Sequence, residues 1–543
     1  MEKSTKILLV IIILIAAILR IYKLDLVPPA LNWDEVDAAY NAYTIANWGR
    51  DEWGKFLPLV FTSFRDDKHP VHIYMTAPIV KMFGLSDFTA RLSGAIVGVL
   101  SVLIIFFLAR ILFKNDLVGL LSALFLAMSP YHIHFSRGLW EVNFALFFFM
   151  LGLLTFYLAL QKKAWLINLS FLSFGLSILS YHSSKVVVPP IVLLLILIYF
   201  KDLKKLSLNF YTGILILIIF VALLLIDPRL LGTARVKQTQ VSRETIEKTQ
   251  IFQKTKSSIL GLAEIALQRY PAYFSSQYLF ISGDQSPRNS VKTNGEFYKI
   301  DALFIFIGML YLVRMRSKVT LLVFTWLLLA PIPSSLVSGT PTATRALFMM
   351  GSMHLIAALG AGSIVGWFWG RGKIFILAIV VILLSLQSQI FLDYYFNVYP
   401  KKDAIDWQYG MKQAAEYVKS HPEYSQVYVT DIRSQPYIFF LFYLKTPLPE
   451  FLNSLVYNRL EESKSFNTVS YFENVYLTKE GQRKRVSFYF GGWDPIESMP
   501  NPGVLYVVSS SQYDGLRHKT EFDVKKLIYY PDGSTAFFIV GAK

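Results

Sequence analysis

Two adjacent carboxylates, Asp34 and Glu35, open the stretch LNWDEVDAAYNAYTIANWG (residues 31–49), just beyond a Pro28-Pro29 break. A carboxylate within reach of a substrate hydroxyl can take its proton as a general base. The same pair also suits a purely local purpose. Asn32 and Glu35 have the spacing of a capping box, and acids favour a helix N-terminus. Val36, Tyr40, Tyr43 and Asn47 follow at helical spacing, which predicts a short helix lying along a membrane surface. Further on, FRDDKHPVHIYMTAPIVKMFG (64–84) carries Lys68 ahead of Pro70. A lysine at head-group level can bind the phosphate of a lipid-linked molecule, or snorkel to the interface with no further role. His69 and His72, at i and i+3, could ligate a metal, but a third ligand is not evident and no metal is expected.

Other charged residues stand out by position. Arg91 opens an apolar segment. SPYHIHFSRGLW (129–140) holds His132, His134 and Arg137, and PIPSSLVSGTPTATR (331–345) ends in Arg345. SGDQSPRNSV (282–291) brings Asp284 and Arg288 to a turn. Outward arginines run against the usual placement of cations in membrane proteins, so each needs a partner: an anionic head group, an aromatic face or a carbonyl.

The elements that must position these residues follow from composition. The chain has 543 residues, of which 54% are hydrophobic and only 17% charged, against about 25% charged in soluble domains. The apolar residues fall in blocks, giving eleven candidate spans near 7–22, 92–109, 117–130, 141–160, 165–181, 186–200, 210–226, 298–313, 319–333, 346–369 and 373–391. Alternate gaps between them are basic: Lys3 and Lys6; Arg110 and Lys114; Lys162 and Lys163; Lys201, Lys204 and Lys205; Arg314, Arg316 and Lys318; Arg371 and Lys373. Strict alternation places those gaps, and the N-terminus, in the cytoplasm of a multi-pass plasma-membrane protein. Much of the net charge of +16 is thereby a topology signal, and nucleic-acid binding is excluded. The first span lacks a small-residue cleavage site and reads as a retained helix. The absence of cysteine excludes disulfides, thiolate metal sites and cysteine nucleophiles.

The expected architecture is a mainly α-helical polytopic membrane protein of about eleven transmembrane helices with a C-terminal soluble α/β domain. Residues 1–391 form the membrane part, with long outer loops 23–91 and 227–297. Residues 392–543 form an extracytoplasmic domain able to bury its own core. Its signals are an amphipathic helix at 405–420, strands at 426–431, 469–477, 485–492 and 504–510, and a hairpin around Pro531-Asp532-Gly533. Trp493 reads as an exposed aromatic there.

The order of these pieces resembles the GT-C membrane glycosyltransferases, above all the branch of protein O-mannosyltransferases and lipid A aminoarabinose transferases (glycosyltransferase family 39 and relatives). The resemblance rests on Asp34-Glu35 and the helix ending in Gly49; on Asp67-Lys68-His69-Pro70 before IYMTAPIVKMFG; on Arg91; on Ser129-Pro130 with Ser136-Arg137; and on Arg345 ahead of a soluble C-terminal domain. It covers roughly residues 1–391. The departure is His69, where the family has a first proline. The resemblance implies a GT-C-like fold and transfer of a sugar from a polyprenyl-phosphate-linked donor to a protein, lipid or glycan hydroxyl at the outer face, with inversion and without a cofactor. Asp34 would be the base and Glu35 its helper or a structural cap. Lys68, Arg137 and Arg345 would bind the donor phosphate, and His69, His72, Arg91, Asp284 and Arg288 are further candidates for substrate binding. Membrane lipids are the other expected partners. The competing class is a transporter or flippase of lipid-linked sugars, but such proteins place ionisable residues near the midplane, whereas here they crowd one face. A non-catalytic scaffold is a third reading.

Overall fold

The computed structural model describes the whole chain except residues 65, 233–238, 340, 459–467, 478–482 and 492. Small parts of the second outer loop, of the turn 331–345 and of the strand expected at 485–492 therefore lie outside the described residues. The rest gathers into two compact units, 1–22 with 69–72 and 94–395, and 23–68 with 73–93 and 396–543.

The first unit is helical. In chain order, the spans begin with α1 (Lys3–Ile21). All of α2 (Trp33–Trp48), most of α3 (Val71–Phe83) and the start of α4 (Asp87–Phe113) belong to the second unit, and α4 continues in the first. Then come α5 (Asp116–Met128), α6 (Pro130–Ser136), α7 (Glu141–Gln161), α8 (Leu166–Ile178), α9 (Ser184–Lys204) and α10 (Leu208–Ile226). Helices Asp301–Met315, Lys318–Leu329, Met349–Gly366 and Arg371–Asn397 complete the bundle. All eleven expected spans are thus helical. Among the described residues eight helices are long and apolar enough to cross a membrane, or nine if the bent pair α5–α6 counts as one. The 13-residue α8 is about 20 Å long, short of the roughly 30 Å hydrocarbon core. Glycines let two spans touch backbone to backbone. A Cβ on Gly308 would clash with the Ile356 carbonyl, and one on Gly360 with that of Phe304. In lipid such close packing replaces the missing hydrophobic drive between helices.

The second unit joins the first outer loop to the C-terminal residues. Its centre is a seven-stranded sheet in the order β4-β5-β6-β3-β7-β9-β8. The strands are β3 (Gln426–Val429), β4 (Val456–Tyr457), β5 (Val469–Leu477), β6 (Arg483–Phe490), β7 (Val504–Val508), β8 (Phe522–Tyr529) and β9 (Thr535–Ala542). β3 pairs in parallel with both β6 and β7, and the other pairings are antiparallel. The expected β8–β9 hairpin is present, its turn permitted by Gly533 at φ 91°.

Three expectations need correction here. The helix expected at 405–420 is broken: Gln408 (φ 54°) and Gly410 (φ 104°) separate a short 3₁₀ turn from helix Met411–Ser420. Trp493 is half-buried against Tyr428 and Tyr506 rather than exposed. And α2 is not covered along one face alone. Nine of its sixteen residues are buried; it packs on helix Pro436–Leu444, and its Tyr40 hydroxyl donates to the Thr446 carbonyl at 2.8 Å. Its low amphipathicity follows, because both flanks are covered. Most of the first outer loop thus shares one compact unit with residues 396–543.

Candidate active site

In the second unit the two neighbouring carboxylates have different fates. Consecutive helical residues point about 100° apart, so one can face inward and the other outward. Glu35 faces inward. Its Oε2 accepts from the backbone and side-chain nitrogens of Asn32, both at 3.1 Å, while Asn32 caps Asp34 and Glu35 in return. Arg91 then grips the same carboxylate, Nε to Oε1 at 3.0 Å and Nη2 to Oε2 at 3.1 Å. The remaining guanidinium hydrogens go to the carbonyls of Leu24, Pro28 and Ala30, and the Trp407 ring lies 5.7 Å away. Neither side chain reaches solvent beyond 1%. Arg91, expected to touch substrate, is instead a buried clasp that fixes the loop around the start of α2.

Asp34 faces outward, its side chain 33% exposed. Its Oδ1 accepts from Lys68 Nζ at 2.7 Å and its Oδ2 from Trp33 Nε1 at 3.1 Å. Lys68 is delivered by a small antiparallel ribbon, β1 (Phe61–Ser63) and β2 (Asp66–Lys68), in which Phe61 faces Lys68. One turn along α2 lies Asp37, fully buried, and near it Glu52, also fully buried. Asn41 bridges them, donating to the Asp37 carboxylate at 3.3 Å and accepting from the Glu52 backbone at 2.9 Å. Burial pushes the Asp37 carboxyl up to about 7, against the pull of Ser63 and Lys68, and pushes Glu52 well above the usual carboxylate range. This acid pair was not singled out in the sequence. The signal was there: Asp37 falls at i+3 from Asp34.

The first unit holds the other candidates. Pro130 cannot donate a helical hydrogen bond, and Ser129 caps the new helix. The chain bends by 60° between α5 and α6, and α6 ends at Arg137. The segment 136–138 lies hard against α4, where Cβ atoms on Gly94 and Gly98 would clash with the Gly138 carbonyl and with Ser136 Cβ. Arg137 is buried, donates to the Leu19 carbonyl at 2.9 Å and faces the Tyr395 ring at 5.7 Å.

His69 and His72 go to separate partners. His69 Nε2 meets Lys185 Nζ at 2.7 Å and its ring stands edge-on to His182, 4.3 Å between centroids. His72 Nε2 approaches Glu141 at 3.8 Å. Lys185 escaped the sequence reading although it breaks the cation rule at the mouth of a span as Arg345 does.

Asp284, expected to touch substrate, is saturated. It accepts from Ser286 N at 2.7 Å, from Asn289 Nδ2 at 3.0 Å and from Ala343 N at 2.7 Å. Burial raises its pKa. Through Ala343 it anchors the short helix Ala343–Ala346 that carries Arg345. The Arg345 side chain, half-buried, makes no hydrogen bond or ion pair among the described residues. Arg288 faces the Trp140 ring at 6.0 Å, and its carbonyl meets His134 Nε2 at 2.7 Å.

Comparison with known proteins gives the following. Residues 67–226 match a family model described as dolichyl-phosphate-mannose-protein mannosyltransferase. No curated protein sequence matches the chain. Among solved structures, the chain is similar to ArnT from Cupriavidus metallidurans in the apo state, with a TM-score of 0.59 at 12% identity, covering 99% of this chain and 98% of that one. The same protein bound to undecaprenyl phosphate gives 0.59 at 13% identity over the same shares. The Archaeoglobus fulgidus oligosaccharyltransferase in the apo form gives 0.51 at 15% identity, covering 81% of this chain and 64% of that one. The chain thus spans less than two thirds of the archaeal protein's length.

Proposed function

We propose that this chain, which has the fold of the GT-C membrane glycosyltransferases, is an integral membrane glycosyltransferase using a polyprenyl-phosphate-linked sugar donor. The observation that carries the proposal is the pair Asp34–Lys68 at 2.7 Å, an accessible carboxylate and cation side by side where the neighbouring Glu35 is consumed by structure. A similar fold holding undecaprenyl phosphate supports the donor class.

Asp34 takes the proton of the acceptor hydroxyl as its oxygen attacks the anomeric carbon. The bond between that carbon and the phosphate oxygen breaks, and its electron pair leaves with the polyprenyl phosphate. A phosphate monoester leaves without a general acid. Lys68 stabilises the charge that grows on it, since fixed cations act most strongly on charge developing in the transition state. Its ion pair with Asp34 is then exchanged for the donor phosphate, which frees the carboxylate to act as base. A single displacement inverts the anomeric centre. In the first unit, Arg345, with no side-chain hydrogen bond of its own among the described residues, and Arg137 are assigned to phosphate binding. His69 and Lys185 are assigned to substrate binding. The basic gaps support a cytoplasmic N-terminus and chemistry at the outer face of the plasma membrane.

The test compares two variants of the full chain for folding, donor binding and transfer. Asp34→Asn keeps size and most hydrogen bonding. Donor binding survives, and turnover falls by roughly two to four decades. Lys68→Ala weakens donor binding about tenfold to a hundredfold. Near-normal transfer by a well-folded Asp34→Asn protein would end the assignment of the base.

A further inference from the structure

At the opposite ends of the spans from Arg137 and Arg345, the C-terminus of α4, the start of α5 and the C-terminus of α7 enclose a cleft of about 930 Å³. Its mouth is basic. Arg110, Lys114 and Lys162 line it with a single carboxylate, Asp116, which is held by Arg110. Lys114 and Lys162 are exposed. Its floor is apolar, with Phe107 and Leu158 on the facing helices. Phe107 lies six residues before the end of α4, about 9 Å down the helix, so the cleft runs from head-group level into hydrocarbon. Trp165, 54% exposed and three residues beyond Lys162, marks that level, where indole rings collect.

We propose that this cleft is a binding site for an anionic glycerophospholipid. The phosphate sits between Lys114 and Lys162 beside the Arg110–Asp116 pair, and one acyl chain lies along Phe107 and Leu158. The lining keeps an excess of positive charge after Arg110 and Asp116 cancel, which complements a phosphodiester. Basic pockets between spans suit such head groups. The apolar floor separates this site from one for a free anion, which would have no use for it. The site is independent of the donor reading: none of its lining residues is used there, and it takes a two-chain lipid.

Native mass spectrometry of the purified full-length chain tests it, with added phosphatidylglycerol or phosphatidylcholine of the same acyl chains. The expected result is preferential retention of phosphatidylglycerol. The double variant Lys114→Ala/Lys162→Ala lowers its affinity by about tenfold or more. Leu158→Trp, which fills the slot without touching charge, also lowers it. Lys201→Ala/Lys205→Ala, in another basic gap, leaves it unchanged. Equal retention of both lipids, or equal loss in the control pair, would overturn the proposal. So would displacement by inorganic phosphate with no effect of Leu158→Trp, which would mark a free-anion site. Displacement by undecaprenyl phosphate at equal concentration would equally overturn the two-chain assignment.

Discussion

Two ion pairs sit one residue apart at the start of α2 and differ in almost every physical respect. Glu35–Arg91 is sealed from solvent, and the guanidinium is further met by three backbone carbonyls. Asp34–Lys68 is open, with side-chain exposures of 33% and 15%. A buried pair supplied with every hydrogen bond it needs is costly to break and has nothing to offer a substrate. A partly exposed pair contributes little to stability. The lesson is that at the start of α2 charge type and sequence neighbourhood do not separate the two carboxylates, whereas burial does.

The comparison is broken most directly by transferring roles. Asp34→Asn should cost two to four decades of turnover with an unchanged melting temperature, while Arg91→Met should leave Glu35 as a buried uncompensated charge and cost about 3–5 kcal/mol of stability. A transfer assay reads the turnover and differential scanning fluorimetry in detergent the two stabilities, and equal destabilisation by the two variants would erase the distinction. Next in size is Asp284→Ala, which strands the Ala343 amide and the Asn289 side chain. A loss of about 1–3 kcal/mol is expected, along with weaker donor binding through Arg345. Unchanged donor affinity in a destabilised variant would confine Asp284 to a structural role.

The smallest effect concerns Asp37 and Glu52. Their carboxyls are raised in the folded chain, Asp37 to about 7. A raised acid keeps its proton in the folded state after the unfolded chain has lost it. Its contribution is therefore fully present below the unfolded pKa, near 4, and is lost as pH rises towards 7. Melting temperature should fall between about pH 4 and 7, a window set by those two limits, and Asp37→Asn should flatten that slope. An unchanged slope in the variant would show that other groups set it.

What was legible in the sequence was local. Apolar blocks gave all eleven helices, alternation gave most strands, and Pro531-Asp532-Gly533 gave the last hairpin. Asp34 and Lys68 were legible as residue types at a plausible face, and the capping box at Asn32 and Glu35 was legible from spacing alone. What was hidden was non-local. β3 lies between β6 and β7, each far along the chain, and no local pattern encodes that order. Helix Pro436–Leu444, PYIFFLFYL, is apolar on all sides because α2 covers it, so it carries neither a helical nor a strand period. Arg91 looked like a ligand because its partners, Glu35 and three carbonyls, come together only in the folded loop.

The union of the first outer loop with the C-terminal residues sets a clock on biogenesis. The Tyr40 hydroxyl bonds to a carbonyl 406 residues later, and the Trp33 amide to a side chain 375 residues later. At about 5–20 residues per second of translation, α2 waits roughly 20–80 s for its partner helix to be made. Throughout that interval the loop that carries Asp34 and Lys68 exists without the surface it packs on, and it is open to chaperones and proteases until the last quarter of the chain arrives.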